Sequence, residues 1–336
     1  MNLAFPSYSH IYLEHEARGL PLANEVVARF PHATLIEIKT YRELFNQSQI
    51  NWREQKLSQK IIIASKHERR IFPATSVLPK HGGAPLYYTS PIINCIYDCS
   101  YCFLQAMYRS AHMIVFANEE DFYAEAAALI AEHGPITLSV SYDADLLATE
   151  PIIHWASRWI HAAQRIKGLT VELRTKSAPT RFLSSMPANP NVIIAWSLAP
   201  HDVWQHYEHR TSSPESRIES LKLAIDQGWR TRVCFDPVIP VPNWQKSYHQ
   251  LIEQLFETVS AKKIEDLSVG VFRMGVDHLR TMKRRNPSLP LLHAKLEPLV
   301  DETILGLKTV DGSDIESYVV EQILRYVPQE RIARCL

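Results

Sequence analysis

The sequence predicts an α/β fold: a partial (β/α)6 barrel with a small α/β module before it and a helical extension after it. Three observations point there. Short apolar runs rich in β-forming residues recur six times between residues 86 and 272, with amphipathic helical stretches between them. Alternation of that kind marks parallel βαβ units, and six units are too few to close an eight-fold barrel. A segment rich in Pro and Gly, Pro79-Lys-His-Gly-Gly-Ala-Pro85, divides the alternation from what precedes it.

Taken in order, residues 1–80 read as the N-terminal module, with a helix near 21–30 and strands over 33–39 and 60–65. Residues 81–295 carry the barrel. Its strands are expected at 86–93, 136–141, 170–174, 192–197, 231–235 and 267–272, and its helices near 119–133, 151–166, 214–227 and 244–260. Residues 296–336 are expected to hold one or two helices that cap the open barrel. Trp155 and Trp159 stand at i, i+4 and read as helix core, not as a stacking platform.

At 336 residues, 46% hydrophobic and 21% charged, the chain can bury a sizeable core and is not of the disordered class. No apolar run approaches the ~18–20 residues of a membrane span, and no export signal is visible at the N-terminus. A soluble, cytoplasmic, monomeric protein is expected. Lys plus Arg (36) balance Asp plus Glu (36), so polyanion binding would need a local basic patch.

The strongest chemical signal is Cys95-Ile-Tyr-Asp-Cys99-Ser-Tyr-Cys102, three of the five cysteines spaced C-x3-C-x2-C. Three thiolates this close suit a [4Fe–4S] cluster whose fourth iron is left open for a small molecule. A single structural zinc would want a fourth ligand from a second paired motif, and the other cysteines, Cys234 and Cys335, stand alone. Coincidental core cysteines are the remaining reading. The expected strand ends strengthen the iron–sulfur choice. The cysteines follow the first strand, and the later ones end in Tyr142-Asp143-Ala144-Asp145, Arg174-Thr175-Lys176, Trp196-Ser197, Asp236 and Arg273. In barrels of parallel strands, chemistry gathers at that rim.

The cysteine motif, with Tyr101 just before its last member, resembles the signature of the radical S-adenosylmethionine (AdoMet) superfamily. The longer string Cys99-Ser-Tyr-Cys102-Phe-Leu-Gln105 resembles the spore photoproduct lyase branch. So do Leu173-Arg-Thr-Lys176, Trp196-Ser-Leu198, Glu208-His-Arg-Thr211 and Glu215-Ser-Arg217, which follow in family order over roughly residues 5–290. The resemblance implies a radical AdoMet fold and a lyase-like DNA-repair enzyme. It would cleave AdoMet reductively at the cluster to a 5′-deoxyadenosyl radical and act on a thymine-dimer lesion. It also implies that Lys176 and Ser197 hold the AdoMet carboxylate. Asp143 or Asp145 would meet its ammonium, and an electron donor such as a flavodoxin or ferredoxin would supply the electron.

Two departures accompany the resemblance. The family's hydrogen-donor cysteine, in a Cys-Thr-Ser-Asp string after the second strand, falls on Tyr142 when Asp145 is aligned, or on Val140 after a shift of two. A tyrosine expected after the last cluster cysteine is Phe103. Tyr142 and Tyr101 are therefore the candidate catalytic residues; Cys234 is the other barrel thiol and reads as a packed core residue. For nucleic acid, the candidates are Arg273, Arg280, Lys283, Arg284 and Arg285. Two alternatives stay open: radical modification of RNA or a peptide, and a nucleic-acid-binding protein whose cluster is structural or redox-sensing.

Overall fold

All six expected barrel strands lie side by side in one sheet of a computed structural model that describes residues 8–46, 51–74, 83–299 and 302–335. They are Leu86–Thr89, Ile136–Ser139, Leu169–Thr175, Val192–Ser197, Arg230–Val238 and Asp266–Val271, called here the first to sixth strands. Each pairs in parallel with the next, in sequence order. Thr175 stands beside Trp196 and Ser197 beside Cys234, so their C-terminal ends share one rim. Ile71–Pro73 adds an antiparallel strand next to the first, which completes an eight-stranded open half-barrel with a strand from the tail. Helices Trp155–Arg165, Pro214–Asp226 and Trp244–Thr258 form the crossovers that parallel pairing requires. Trp155 and Trp159 are fully buried and pack against Phe122 and Tyr123 of helix Glu119–His133.

A second sheet has the strand order Thr34–Ile38, His10–Glu14, Ile61–Ala64, Met113–Phe116, Ile92–Ile93. Two of its strands come from beyond residue 80. The run expected as one strand over 86–93 divides at Ser90-Pro91, because proline has no N–H to continue the ladder. Leu86–Thr89 stays in the half-barrel, while Ile92–Ile93 crosses to the second sheet. The Pro91 carbonyl accepts from the Phe116 N–H at 3.0 Å. Residues 95–102 therefore form a loop between two strands of the second sheet, Ile92–Ile93 and Met113–Phe116. Residues 79–82 of the Pro- and Gly-rich segment lie outside the described residues.

The tail supplies the expected helix and adds a strand that the sequence reading did not place. Among its described residues it holds one α-helix, Ile315–Ile323, and ends in Ile332–Cys335, which pairs in parallel with the sixth strand. That edge would otherwise present unpaired backbone groups. Ile304–Gly306 also pairs with Arg273–Gly275, just past the sixth strand.

His112 anchors the second sheet: its Nδ1 accepts the Lys60 N–H at 3.2 Å where strands 61–64 and 113–116 begin. Burial, reinforced by the Lys60 charge, pushes this imidazole down to about 4. The unfolded chain, with an ordinary histidine near 6.5, therefore binds a proton that the folded chain refuses. His112 stabilises the fold fully above pH ~6.5, and this contribution fades as pH falls toward 4, by at most about 3 kcal/mol. Urea midpoints of His112→Asn should be lower than those of the parent at pH 7, with the gap closing by pH 4.5.

Candidate active site

The cysteine loop is held from both sides. On the module side, buried Lys56 donates its ammonium to the Cys95 carbonyl, and Gln59 Nε2 binds the Ala111 carbonyl at 2.7 Å. Asn94, in the left-handed region at φ 68°, bridges the Ser110 and His112 carbonyls at 2.9 and 2.7 Å. On the barrel side, Cys99 and Asp98 pair antiparallel with Glu208 and His209, and the Ser100 N–H reaches the Tyr207 carbonyl at 2.8 Å.

Beneath that ribbon sits a buried ion cluster. Arg217, wholly without solvent access, gives Nη2 to Glu208 Oε2 at 2.6 Å and to Thr211 Oγ1 at 2.7 Å. Its other nitrogens bind the Ser212 and Ser197 carbonyls, both at 2.9 Å. Tyr101 donates its hydroxyl to Glu208 Oε1 at 2.5 Å, and Lys176 Nζ lies 3.9 Å from the same oxygen. Burial alone would raise the Glu208 carboxyl; Arg217 and Lys176, with the Tyr101 hydrogen bond, hold it below the usual range. Burial and the Glu208 charge push the Tyr101 phenol up.

A cavity of about 420 Å³ opens between the cysteine loop and the strand rim. Cys95, Cys99 and Cys102 all line it and none is in a disulfide. Burial drives all three thiols up, Cys102 to about 12, so a bare loop keeps them protonated. Only a bound cation would reverse that, as coordination does. Among the described residues, no three His, Cys, Asp or Glu side chains converge as they would on one ion. Three free thiols on one cavity wall are the donor set a cubane takes, each thiolate on a different iron, and they lack the fourth ligand of a structural zinc site.

Facing the thiols are Lys176, Ser197, Asp145, Tyr142 and Tyr101, all on the cavity wall. Asp145 is spent on structure: it accepts from the Lys176 N–H at 2.7 Å, the Ala148 N–H at 2.9 Å and the Thr175 hydroxyl at 2.9 Å. It thus fixes the end of the third strand and so Lys176. Asp143 is not part of the wall; its carboxylate accepts from Tyr108 at 2.7 Å and turns away from the thiols. Tyr142 stacks on Tyr88 with ring centroids 4.2 Å apart and meets Phe103 at 6.0 Å. Burial, with the Asp143 charge, pushes its phenol to about 12, so it keeps its proton at neutral pH. Cys234 is fully buried and, like Cys335, does not line the cavity.

Arg273, expected to face nucleic acid, is inside the site instead: its Nη1 binds Asp236 Oδ1 at 2.8 Å. The sequence reading put Asp236 and Arg174 at the rim but missed their pairing and the ion cluster beneath them. Asp236 also takes Arg174 at 3.2 Å, and deeper in the barrel Arg232 joins Glu172 and Asp266. Burial would raise Asp236, yet Arg273 and Arg174 hold it near 2. The available signal was period two: Glu172, Arg174 and Lys176, and Arg232, Cys234 and Asp236, alternate along otherwise apolar strands. Arg174 Nε and Ser141 Oγ are buried without a partner among the described residues, although both residues line the cavity. Such groups call for a polar ligand.

Of the other basic candidates, Arg280 and Lys283 are exposed on helix Val276–Arg285. Arg284 is exposed and donates to Thr281 at 3.2 Å, while Arg285 stacks over Trp52.

The family model for spore photoproduct lyase matches residues 7–287, which includes every element that lines this cavity except Ile304. The chain belongs to the spore photoproduct lyase family. A spore photoproduct lyase of Clostridium acetobutylicum is 26% identical over 220 residues, covering 64% of this chain and 63% of that protein. The matched segment is thus just under two thirds of that relative's length. One from a Geobacillus strain is 23% identical over 295 residues, 84% of this chain and 83% of the relative. Among solved structures, a spore photoproduct lyase mutant with bound AdoMet and dinucleoside spore photoproduct superposes with a TM-score of 0.81 at 17% identity over 98% of both chains. A lyase complexed with dinucleoside spore photoproduct gives 0.81 at 16% identity over 98% of this chain and 99% of that one. At that identity, the superposition supports the half-barrel fold of the family.

Truncating Arg217 would leave Glu208 charged, buried and uncompensated. Arg217→Met should cost about 3–5 kcal/mol. Adding Glu208→Gln removes the orphan charge, so urea unfolding of the double variant should recover a clear part of that loss.

Proposed function

We propose that the protein is a radical AdoMet lyase that repairs spore photoproduct in DNA. The observation that carries this reading is the meeting of three free thiols with Lys176, Ser197, Arg174 Nε and Ser141 Oγ around one cavity. The family and the lyase structures bound to AdoMet and to the dinucleoside lesion support the same chemistry here.

Cys95, Cys99 and Cys102 would hold a [4Fe–4S] cluster, which together with AdoMet supplies a one-electron cleavage yielding a carbon radical that takes a hydrogen atom from the substrate. The chain's own residues bind and orient. Lys176 offers an ammonium to the AdoMet carboxylate, and its position is set by the Asp145 contact to its backbone. Ser197 and the unpartnered donors Arg174 Nε and Ser141 Oγ supply further polar contacts. Tyr142, held by its stack on Tyr88, presents an aromatic ring at the cavity wall to a pyrimidine lesion drawn from the helix. Lys283 and Arg280, the latter paired with Asp277 at 2.9 Å, are exposed cations on helix Val276–Arg285 that can meet flanking phosphates.

Anaerobically reconstituted protein should contain about four irons per chain and release 5′-deoxyadenosine, with repair of dinucleoside spore photoproduct to two thymidines. Alanine at Cys95, Cys99 or Cys102 should abolish the iron–sulfur absorbance, while Cys234→Ala and Cys335→Ala keep it. AdoMet cleavage that spore photoproduct leaves unaltered, with no repaired thymidine, would sink the lesion assignment.

We assign hydrogen return to the product to Tyr142, which stands on the cavity wall with its phenol protonated, whereas the Tyr101 hydroxyl is committed to Glu208. Tyr142→Phe keeps the ring and its stack. It should still cleave AdoMet but divert at least half of the product from thymidine to adducts, as read by chromatography. An unchanged product ratio would leave Tyr142 as packing alone.

A further inference from the structure

A second cavity, of about 270 Å³, lies behind the cysteine loop. The loop is extended at Asp98–Cys99, so successive side chains leave it on opposite sides. Tyr97, Cys99 and Tyr101 line the first cavity, whereas Asp98 and Ser100 line the second. At Cys99 the two spaces are separated by a single backbone.

The second cavity is basic. Arg53 enters from the N-terminal module, and Arg284 and Arg285 from the end of helix Val276–Arg285. Each guanidinium binds a neutral acceptor: the Asn286 side chain at 3.2 Å, Thr281 at 3.2 Å and the Tyr108 carbonyl at 3.3 Å, respectively. Among the described residues, none of the three forms an ion pair with a carboxylate, and Asp98 is the one acidic residue on the wall. A hydrogen-bonded path leads inward from there. Arg53 donates to Asn286, Asn286 donates to Gln105 at 3.1 Å, and Gln105 donates to the Cys99 carbonyl at 2.8 Å.

We propose that this basic hollow is the docking surface for an acidic one-electron carrier protein of the flavodoxin kind, which reduces the cluster through the thin wall at Cys99. The proposal rests on the iron–sulfur reading above. Three cations whose only contacts are to neutral groups complement a carboxylate-rich protein face. The position also lets a carrier approach the thiolate side while AdoMet and the lesion fill the first cavity, so reduction and substrate binding do not compete. One electron passes from the flavin hydroquinone, which becomes the semiquinone, to the oxidised cluster; no bond forms or breaks.

The test uses the reconstituted holoprotein, its iron content measured first. Arg53→Glu/Arg284→Glu leaves the half-buried Arg285 in place. It should weaken binding of a flavodoxin at least tenfold, flatten the dependence of that affinity on salt, and slow flavodoxin-driven cluster reduction in a stopped-flow trace. Photoreduction by 5-deazariboflavin should proceed at the parental rate, and Arg53→Lys/Arg284→Lys should restore flavodoxin binding. Flavodoxin affinity unchanged in the Glu variant would overturn the proposal while leaving the cluster reading intact. An equal loss of affinity for duplex DNA, with flavodoxin binding unaltered, would assign the surface to the nucleic-acid backbone. Wild-type protein that takes up no iron would overturn both readings, and that result appears before any partner is added.

Discussion

Glu208 is a carboxylate with almost no access to water, and the site depends on how it is neutralised. Arg217 pairs with it in the interior, where a lone charge costs several kcal/mol and a well-bonded pair roughly breaks even. The pair therefore adds little net stability, but it specifies one arrangement. Glu208 sits opposite Cys99 in the ribbon, receives Tyr101 from the cysteine loop and lies near Lys176 from the third strand. One side chain thus sets the distance between the thiols and the cation that faces them. Arg217 extends the same constraint to the fourth strand through the Ser197 carbonyl.

The barrel interior repeats this logic on the opposite wall. Asp236 is held between Arg174 and Arg273, and Glu172 is held by Arg232 and Ser139. Charges that share partners in this way are fixed dipoles already oriented before any ligand arrives, so they need not reorganise when charge shifts in the cavity. Near-zero net charge for the whole chain hides this arrangement, because the acids and bases are matched inside the barrel as well as on its surface.

Much of the half-barrel was legible because each strand is a short, mostly apolar run separated from the next by a helical stretch. Met113–Phe116 was not, since four buried residues carry no alternation and follow directly on the cysteine segment. Ile332–Cys335 is equally short, and its strand character comes from the open edge it covers. The cysteines, Lys176 and Ser197 could be located from spacing and resemblance, and the structure brings them to one cavity. Asp143 and Asp145 could not be told apart, because a turn between strand and helix decides which carboxylate faces inward. Arg273 and Asp236 could be placed at strand ends, but that they pair, which draws Arg273 into the site, is visible only in the sheet. Glu208 and Arg217 stood out as parts of motifs; that they form a pair depends on a helix folding back, which no local pattern encodes.

The crossing at Ser90-Pro91 makes the two sheets inseparable along the chain. Strand Ile61–Ala64 has one neighbour from before the cysteines and another, Met113–Phe116, from after them. A nascent chain that has emerged only as far as the first barrel strand therefore carries an unsatisfied hydrophobic strand edge, the kind that recruits other chains. The cysteine segment lies inside the very stretch that must emerge next to cover it. Emergence of the cysteines and protection of that edge thus belong to the same interval of synthesis, so the young polypeptide is most exposed to other chains just before its cysteine loop is made.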